Sequence, residues 1–271
     1  LDGAVVLPLL GALAHDAQDR ALRPDPNGRR KIVLATSIAE TSLTIEGVRI
    51  VVDSGLSRSP RFSPRTGMTR LETTRVSRAS ADQRRGRAGR LGPGICYRLW
   101  SEYENANLLA NDPPEIASAD LAPLALNLAA AGVTDPSELD WIDPPAPAAF
   151  SQARELLREP GAVDGAGEPT AHGRAMSTLP VHPRLAHMLR RARDLGCAPL
   201  ACMVAALLSE RDVLRGTAGP IEADIGYRIQ ALRGERDAGS LPLGAEIDRD
   251  AVRRVRSDAD RRDRAAVKIV R

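Results

Sequence analysis

The stretch from Ile32 to Arg90 constrains the fold of this chain more than any other part of it. An apolar run, Ile32-Val33-Leu34-Ala35, ends in Thr36-Ser37-Ile38-Ala39-Glu40-Thr41-Ser42-Leu43-Thr44-Ile45. A second run, residues 48–52, closes on Asp53-Ser54-Gly55. Short β-branched runs bounded by polar loops read as buried parallel strands. In open α/β sheets, ligands bind beyond the carboxyl ends of such strands. Thr36, Thr41 and Asp53 fall there.

The segment Gln83-Arg84-Arg85-Gly86-Arg87-Ala88-Gly89-Arg90 follows with a helical spacing. At about 100° per residue, Gln83, Arg87 and Arg90 share one face and Arg84 lies beside them. Ser80 or Asp82 is positioned to cap the start. A glutamine and two arginines on one face suit a bidentate grip on phosphate, and arginine stays charged throughout. A solvated basic helix is the plain alternative for this segment taken alone.

Together, the stretch 35–45 and the segment 83–90 resemble motifs V and VI of the DEAH-box helicases. The downstream sequence, to about Arg233, resembles the bacterial HrpB-type members. The resemblance implies an α/β fold: a RecA-like parallel-sheet domain followed by winged-helix-like and helical-bundle domains. The expected division is 1–100 for the second RecA-like domain, 101–170 for the winged-helix-like part, 171–235 for a helical ratchet-like part, and 236–271 for a charged helical linker or tail.

The same resemblance implies roles. Arg87 and Arg90 are expected as arginine fingers on the γ-phosphate of ATP, with Gln83 placing the phosphate or the attacking water. An arginine finger contributes about 10³–10⁵ in rate. Asp53 and Gly55 join them at the nucleotide, and Asp53 links that site to the nucleic acid. Thr36, Thr41 and Ser42 are expected on the nucleic-acid backbone. The partner is single-stranded nucleic acid, RNA by resemblance.

Residues 58–76 read as a β-hairpin with a turn at Pro64-Arg65-Thr66-Gly67 and a basic outer face. A hairpin at this place lies near the strand-separation point in the resembled family, which makes Arg65 and Arg70 nucleic-acid candidates. Charge supports the reading. Ten arginines from Arg58 to Arg90 face only Glu72 and Asp82, a local balance of +8 in a chain of net +3. A basic stripe in an otherwise acidic body is an electrostatic footprint for phosphate backbones.

Around this core the pattern gives strands at 5–9 and 95–100, helices at 16–22 and 102–109, and a domain boundary near Pro113-Pro114. A helix is expected to start near Thr41 or Ser42, offering backbone N–H groups to a phosphate. Further on, 121–128 and 148–157 read as helices, with a small wing around Asp164-Gly165-Ala166-Gly167. Segments 183–195 and 199–208 read as core-forming helices. Residues 248–264 carry dense charge of both signs, with Val252 and Val255 as the only large apolar side chains, and read as a surface helix.

What the chain lacks matters equally. It contains no Gly-Lys pair and no Asp-Glu pair, so it holds neither a Walker A loop nor a DEAH box. Those features, and the Mg2+ they would hold with ATP, are expected on a preceding RecA-like domain. With no Met at its start, the chain is expected to be a fragment. A non-catalytic nucleic-acid- or partner-binding fragment is the alternative, and a decayed gene product a third. No apolar run approaches the roughly 20 residues of a membrane span, and no basic n-region precedes an apolar one. Cys96, Cys197 and Cys202 are an odd, unpatterned set, read as reduced cytoplasmic thiols. The four histidines are scattered and read as core or surface residues, with no metal site.

Overall fold

The computed structural model describes residues 3–11, 13–41, 44–63, 68–90, 92–216, 221–234 and 241–268, without the side chains of Thr41 and 265–268. It divides into two compact units, Leu1–Asp120 and Leu121–Arg271. That division lies past residue 100, where the first expected domain ends, and close to the boundary expected near Pro113-Pro114. The backbone accounts for the shift: Arg78 and Ala79 donate their N–H groups to the carbonyls of Leu109 and Ala110, and Phe62 donates to Ser118.

The first unit is α/β. Strand β1 (Ala4–Leu9) leads through helix α1 (His15–Leu22) to β2 (Arg30–Ala35). The two strands pair in parallel from Ala4 opposite Arg30 to Leu9 opposite Ala35. A parallel pair needs such a crossover, because a tight turn joins only antiparallel strands. β3 (Ile50–Asp53) pairs in parallel with β6 (Ile95–Arg98), Asp53 lying opposite Arg98. Between them, β4 (Leu56–Ser63) and β5 (Met68–Arg75) form the expected antiparallel hairpin, with Leu56 opposite Arg75 at its base.

Two helices differ from expectation. The helix after β2, α2, spans Ile38–Thr41, so it begins three residues before Thr41. A single four-residue turn lacks the aligned N-terminal dipole that a phosphate site on a helix end requires. Helix α3 runs over Arg78–Gly86 and is capped by Ser77, whose Oγ accepts from the Ser80 N–H at 3.1 Å; neither Ser80 nor Asp82 is the cap. After β6, Ser101 caps α4 (Glu102–Ala106) in a reciprocal capping box with Glu104.

The second unit is helical: α5 (Ala122–Ala130), α6 (Pro147–Arg158), α7 (Ala171–Ser177), α8 (Pro183–Asp194) and α9 (Ala198–Ser209). Leu126, Phe150, Leu157, Met176 and Leu189 are buried in it. The wing is reduced to one antiparallel bridge, Val163 to Pro169, closed by Asp164, whose Oδ1 accepts from the N–H groups of Ala166 and Glu168, each at 2.9 Å. A Cβ on Gly173 would lie 1.9 Å from the Ala162 carbonyl oxygen, so only glycine lets α7 approach the wing strand. His172 and His187, scattered in sequence, meet edge to face with Nε2 and Nδ1 2.9 Å apart.

Of the segment 236–271, expected as a charged helical linker or tail, the described residues 241–268 form a strand and a helix that pack on the rest of the unit. Strand β7 (Leu214–Gly216) precedes helix α10 (Ile225–Arg233) and pairs antiparallel with β8 (Ala245–Ile247). Helix α11 (Arg249–Lys268) then packs along α9. The seam is drawn from the buried apolar residues Ala251, Val252, Val255 and Ala259 of α11 and, on α9, which also packs on α8 and α10, from among Ala201, Cys202, Ala205 and Ala206. Residues four apart share a helix face. Small ones let two helices approach closely, an arrangement that a count of large apolar residues overlooks.

Candidate nucleotide and nucleic-acid site

The site lies where β2 and β3 end and α3 runs past them. Thr36 is exposed, and its N–H extends the parallel ladder by donating to Leu9 O at 3.1 Å. The chain then tightens into α2, with Glu40 N–H on Ser37 O at 2.9 Å. This turn aims the Glu40 carboxylate at α3. One oxygen accepts from Ser80 Oγ at 2.8 Å and the other from Arg84 Nε at 2.7 Å.

At the end of β3, Asp53 is only 3% exposed. Its Oδ1 accepts from Gly55 N–H at 3.0 Å and from Arg84 Nη1 at 2.9 Å, while its Oδ2 is buried without a partner. Nη1 also donates to Leu56 O at 3.1 Å. Burial opposes the charge on Arg84, but the hydrogen bonds from Asp53 and Glu40 more than offset it and hold its pKa above the ordinary value.

Gly55 is held in the left-handed region, φ 72°, and a Cβ there would come within 2.8 Å of the Trp100 ring. Trp100 in turn donates Nε1–H to Asn105 at 3.3 Å. The Arg98 guanidinium lies 5.5 Å from the Trp100 ring and donates to Asp82 of α3 at 2.6 Å. Helix α3 is thus fastened on one side through Arg84 and on the other through Asp82. Gly55 serves as a packing position at a tight turn.

The expected single helical face of Gln83, Arg87 and Arg90 is not one helix. Gln83 is exposed in the last turn of α3, Arg87 is the C-cap, and Arg90 lies in the bend beyond. The helix ends because the chain folds back: a Cβ on Gly94 would meet Ala88 O at 2.2 Å, so these two segments touch backbone to backbone. Arg87 is half-buried, and its N–H donates to Arg84 O at 3.0 Å. Burial and the positive neighbour Arg90 lower its pKa, with Glu40 pulling the other way. Arg90 is exposed and donates from Nη1 to Thr44 Oγ1. These side chains offer guanidinium and amide donors of the kind that hold phosphate oxygens.

Of the hairpin candidates, Arg70 is exposed on β5 directly opposite Arg61, which also pairs with Glu72 at 3.6 Å. Two like charges at opposed sheet positions repel unless an anion lies between them. Ser42 and Arg65 lie outside the described residues, as does the side chain of Thr41. Among the described residues no cluster of His, Cys, Asp and Glu could hold a metal, and no helix is long and apolar enough to cross a membrane. The residues that sequence reasoning missed are Glu40 and Arg84. The available signal was two acidic residues following two parallel strands, with an arginine in the next helix to meet both.

Strand-end loops facing a helix that ends in Gln-Arg-Arg-Gly-Arg define a class. Residues 2–92 match the family described as the helicase conserved C-terminal domain. Over 206 residues, 76% of this chain, the sequence is 46% identical to the ATP-dependent RNA helicase HrpB of Escherichia coli K12, spanning 25% of that protein. It is 42% identical over 206 residues to the pre-mRNA-splicing factor ATP-dependent RNA helicase prp22 of Schizosaccharomyces pombe, spanning 18% of it. A crystal structure of the E. coli DExH-box NTPase HrpB matches with a TM-score of 0.78 at 38% identity, over 97% of this chain and 30% of that one. A crystal structure of the E. coli DEAH/RHA helicase HrpB matches with a TM-score of 0.79 at 37% identity, over 99% of this chain and 30% of that one. By sequence and by fold the chain falls among the DEAH-box helicases of the HrpB type, and it spans less than a third of the length of these relatives.

Proposed function

We propose that this chain is the second motor half of an ATP-dependent helicase acting on RNA. In this reading Arg87 and Arg90 reach the terminal phosphate of ATP held by a preceding RecA-like domain, and Gln83 orients the phosphate or the attacking water. That domain carries the Walker A loop and most of the Mg2+ ligands; on the present side Glu40 and Asp53 are taken up by Arg84. Thr36, Thr41 and Ser42 hold the backbone of a single strand, with Arg65 and Arg70 of the hairpin beside it. Residues 101–170 and 171–235 serve as its winged-helix-like and ratchet-like parts, and the protein works in the cytoplasm.

The observation that carries the reading is the meeting of two parts at one place. The end of α3, with Gln83 and Arg87, is anchored by Arg84 to the loop that follows Thr36. A device that turns hydrolysis into movement needs a physical link between a phosphate-sensing group and a strand-gripping loop. The chain has no Gly-Lys pair of its own, which favours a non-catalytic binding role if it acts alone.

The test is ATP turnover, with and without single-stranded RNA, for this chain alone and for a protein extended at its N-terminus. RNA-stimulated turnover only in the extended protein supports the helicase reading. Salt-sensitive RNA binding without turnover in either supports the binding fragment.

A further inference from the structure

Two histidines from neighbouring helices meet in the second unit. His172 is the second residue of α7 and His187 stands within α8, and both are half-buried. Their rings cross at 87° with centroids 5.1 Å apart, and His172 Nε2 lies 2.9 Å from His187 Nδ1. A contact of that length between two ring nitrogens is a hydrogen bond, so one nitrogen carries the proton and the other is bare. The pair therefore holds with no added proton, or with one. A second added proton makes both nitrogens donors and sets two positive rings against each other.

The surroundings oppose that second proton. Arg184, Arg190 and Arg191 stand three or four residues from His187, on its side of α8. Asp194, the acid of the same helix, is paired with Arg191 at 3.7 Å. Helix α7 adds Arg174, and the wing beside it adds Asp164 and Glu168, all three exposed. The other packed helices bring little charge: α5 has no titratable side chain, and α9 has only Cys202. Burial first, then His187, Arg190 and Arg191, lower the pKa of His172, with Asp194 opposing.

The pair sits where its loss has an effect. Helix α7 has 7 residues, too few to be stable alone, so its contacts keep it in place. Gly173, next to His172, lies against the Ala162 carbonyl, and Met176 one turn on is fully buried. Met176, Leu179 and Pro183 also line a cavity of about 350 Å³ with Leu126 of α5. Loosening α7 from α8 opens that cavity to water.

We infer that His172 and His187 form an acid-released latch, which holds α7 on α8 while the pair carries at most one added proton and lets go when acid forces on a second. The inference stands apart from the helicase reading, because it needs only the second unit. In the unfolded chain both histidines bind protons near the ordinary value of 6.5. Below that pH the unfolded chain therefore holds more protons than the folded one. The stability is fully present above 6.5 and declines as pH falls from there.

The experiment uses this chain. Urea denaturation from about pH 8 to about pH 5 follows the folding equilibrium, and amide hydrogen exchange follows α7 itself. In the wild type the folding constant should fall by up to about tenfold per pH unit below the imidazole range. Protection of the amides of Gly173–Met176 should fall more steeply than that of α9. His172→Gln and His187→Asn should each flatten the decline. Equal declines in the wild type and both variants overturn the inference, as does α7 protection that parallels α9 at every pH. If neither variant folds, the ring resonances of the wild type decide. One proton taken up, with the second displaced to lower pH, supports the latch; two independent titrations near the ordinary value overturn it.

Discussion

Arg84 Nη1 lies 2.9 Å from Asp53 Oδ1, and the two residues come from different parts of the first unit, the side of α3 and the end of β3. The Asp53 side chain is 2% accessible and that of Arg84 15%, so the pair is largely withdrawn from water. Removing one member of a buried pair leaves the other uncompensated, which costs about 3–5 kcal/mol. Glu40 remains to hold Arg84, so Asp53→Ala should cost about 3 kcal/mol, the lower end of that range. Urea denaturation of this chain checks it, and an unchanged midpoint would show that the pair contributes nothing net.

Gly173 gives a cleaner steric test. A Cβ there would lie 1.9 Å from Ala162 O, whereas at Gly165 nothing lies within 4 Å. Gly173→Ala should therefore destabilise the protein by about 1–3 kcal/mol, the usual cost of overpacking. Gly165→Ala should be close to neutral. Thermal melts of the two variants should separate by several degrees, and coinciding curves would contradict the packing described for α7.

Arg87 should matter for turnover and not for folding. In the N-terminally extended protein, Arg87→Ala is expected to lower RNA-stimulated ATP hydrolysis by about 10³ or more. Its urea midpoint and its affinity for single-stranded RNA should stay near wild type. Turnover that survives the substitution would remove Arg87 from the phosphate.

For the hairpin, Arg70→Ala should reduce RNA affinity modestly and lower the slope of log affinity against log salt by about one phosphate contact. Removing one of the opposed pair Arg61 and Arg70 also relieves a repulsion, so stability should hold or rise slightly. Binding titrations at several salt concentrations read both effects. An unaltered slope would place the RNA elsewhere.

Cys202 supplies a pH test in the second unit. Burial first, then the negative charge of Asp263, pushes its thiol up to about 11, with Arg262 opposing. A folded-state pKa raised above that of the unfolded chain means that unfolding releases a proton at alkaline pH. The stability is present below the ordinary thiol value of 9.0 and declines as pH rises from there toward about 11. Cys202→Ala should flatten that decline in a series of denaturation curves. An identical decline in both proteins would assign it to other groups.

The parallel strands were legible because Ile32-Val33-Leu34 and Ile50-Val51-Val52 are β-branched or bulky runs between polar loops. The hairpin was legible from Pro64 to Gly67, a turn cluster between alternating segments. The extent of α3 was not. Helical periodicity continues through Arg90, yet the chain leaves the helix because Gly94 brings its backbone against Ala88, a contact between residues whose closeness no local pattern announces. Arg84 was read as a neighbour of the phosphate-facing residues. On a helical wheel it lies about 100° from Gln83, beside their face, and only the positions of Glu40 and Asp53 show that it turns inward. The packing of helix α11 was not legible because two of its four buried apolar residues, Ala251 and Ala259, are alanines, which count for little as apolar mass.

That seam has a further consequence for how the sequence can change. Where two helices meet through alanines, the limit on each position is volume, and added hydrophobicity gives no relief. At Ala251 and Ala259 of α11, and Ala205 and Ala206 of α9, a leucine would pry the helices apart as surely as an aspartate would. The charged outer face of α11 is free to drift, while this narrow line tolerates little beyond exchange among the smallest residues. In a set of diverged sequences the segment would look poorly preserved by charge and almost frozen by size.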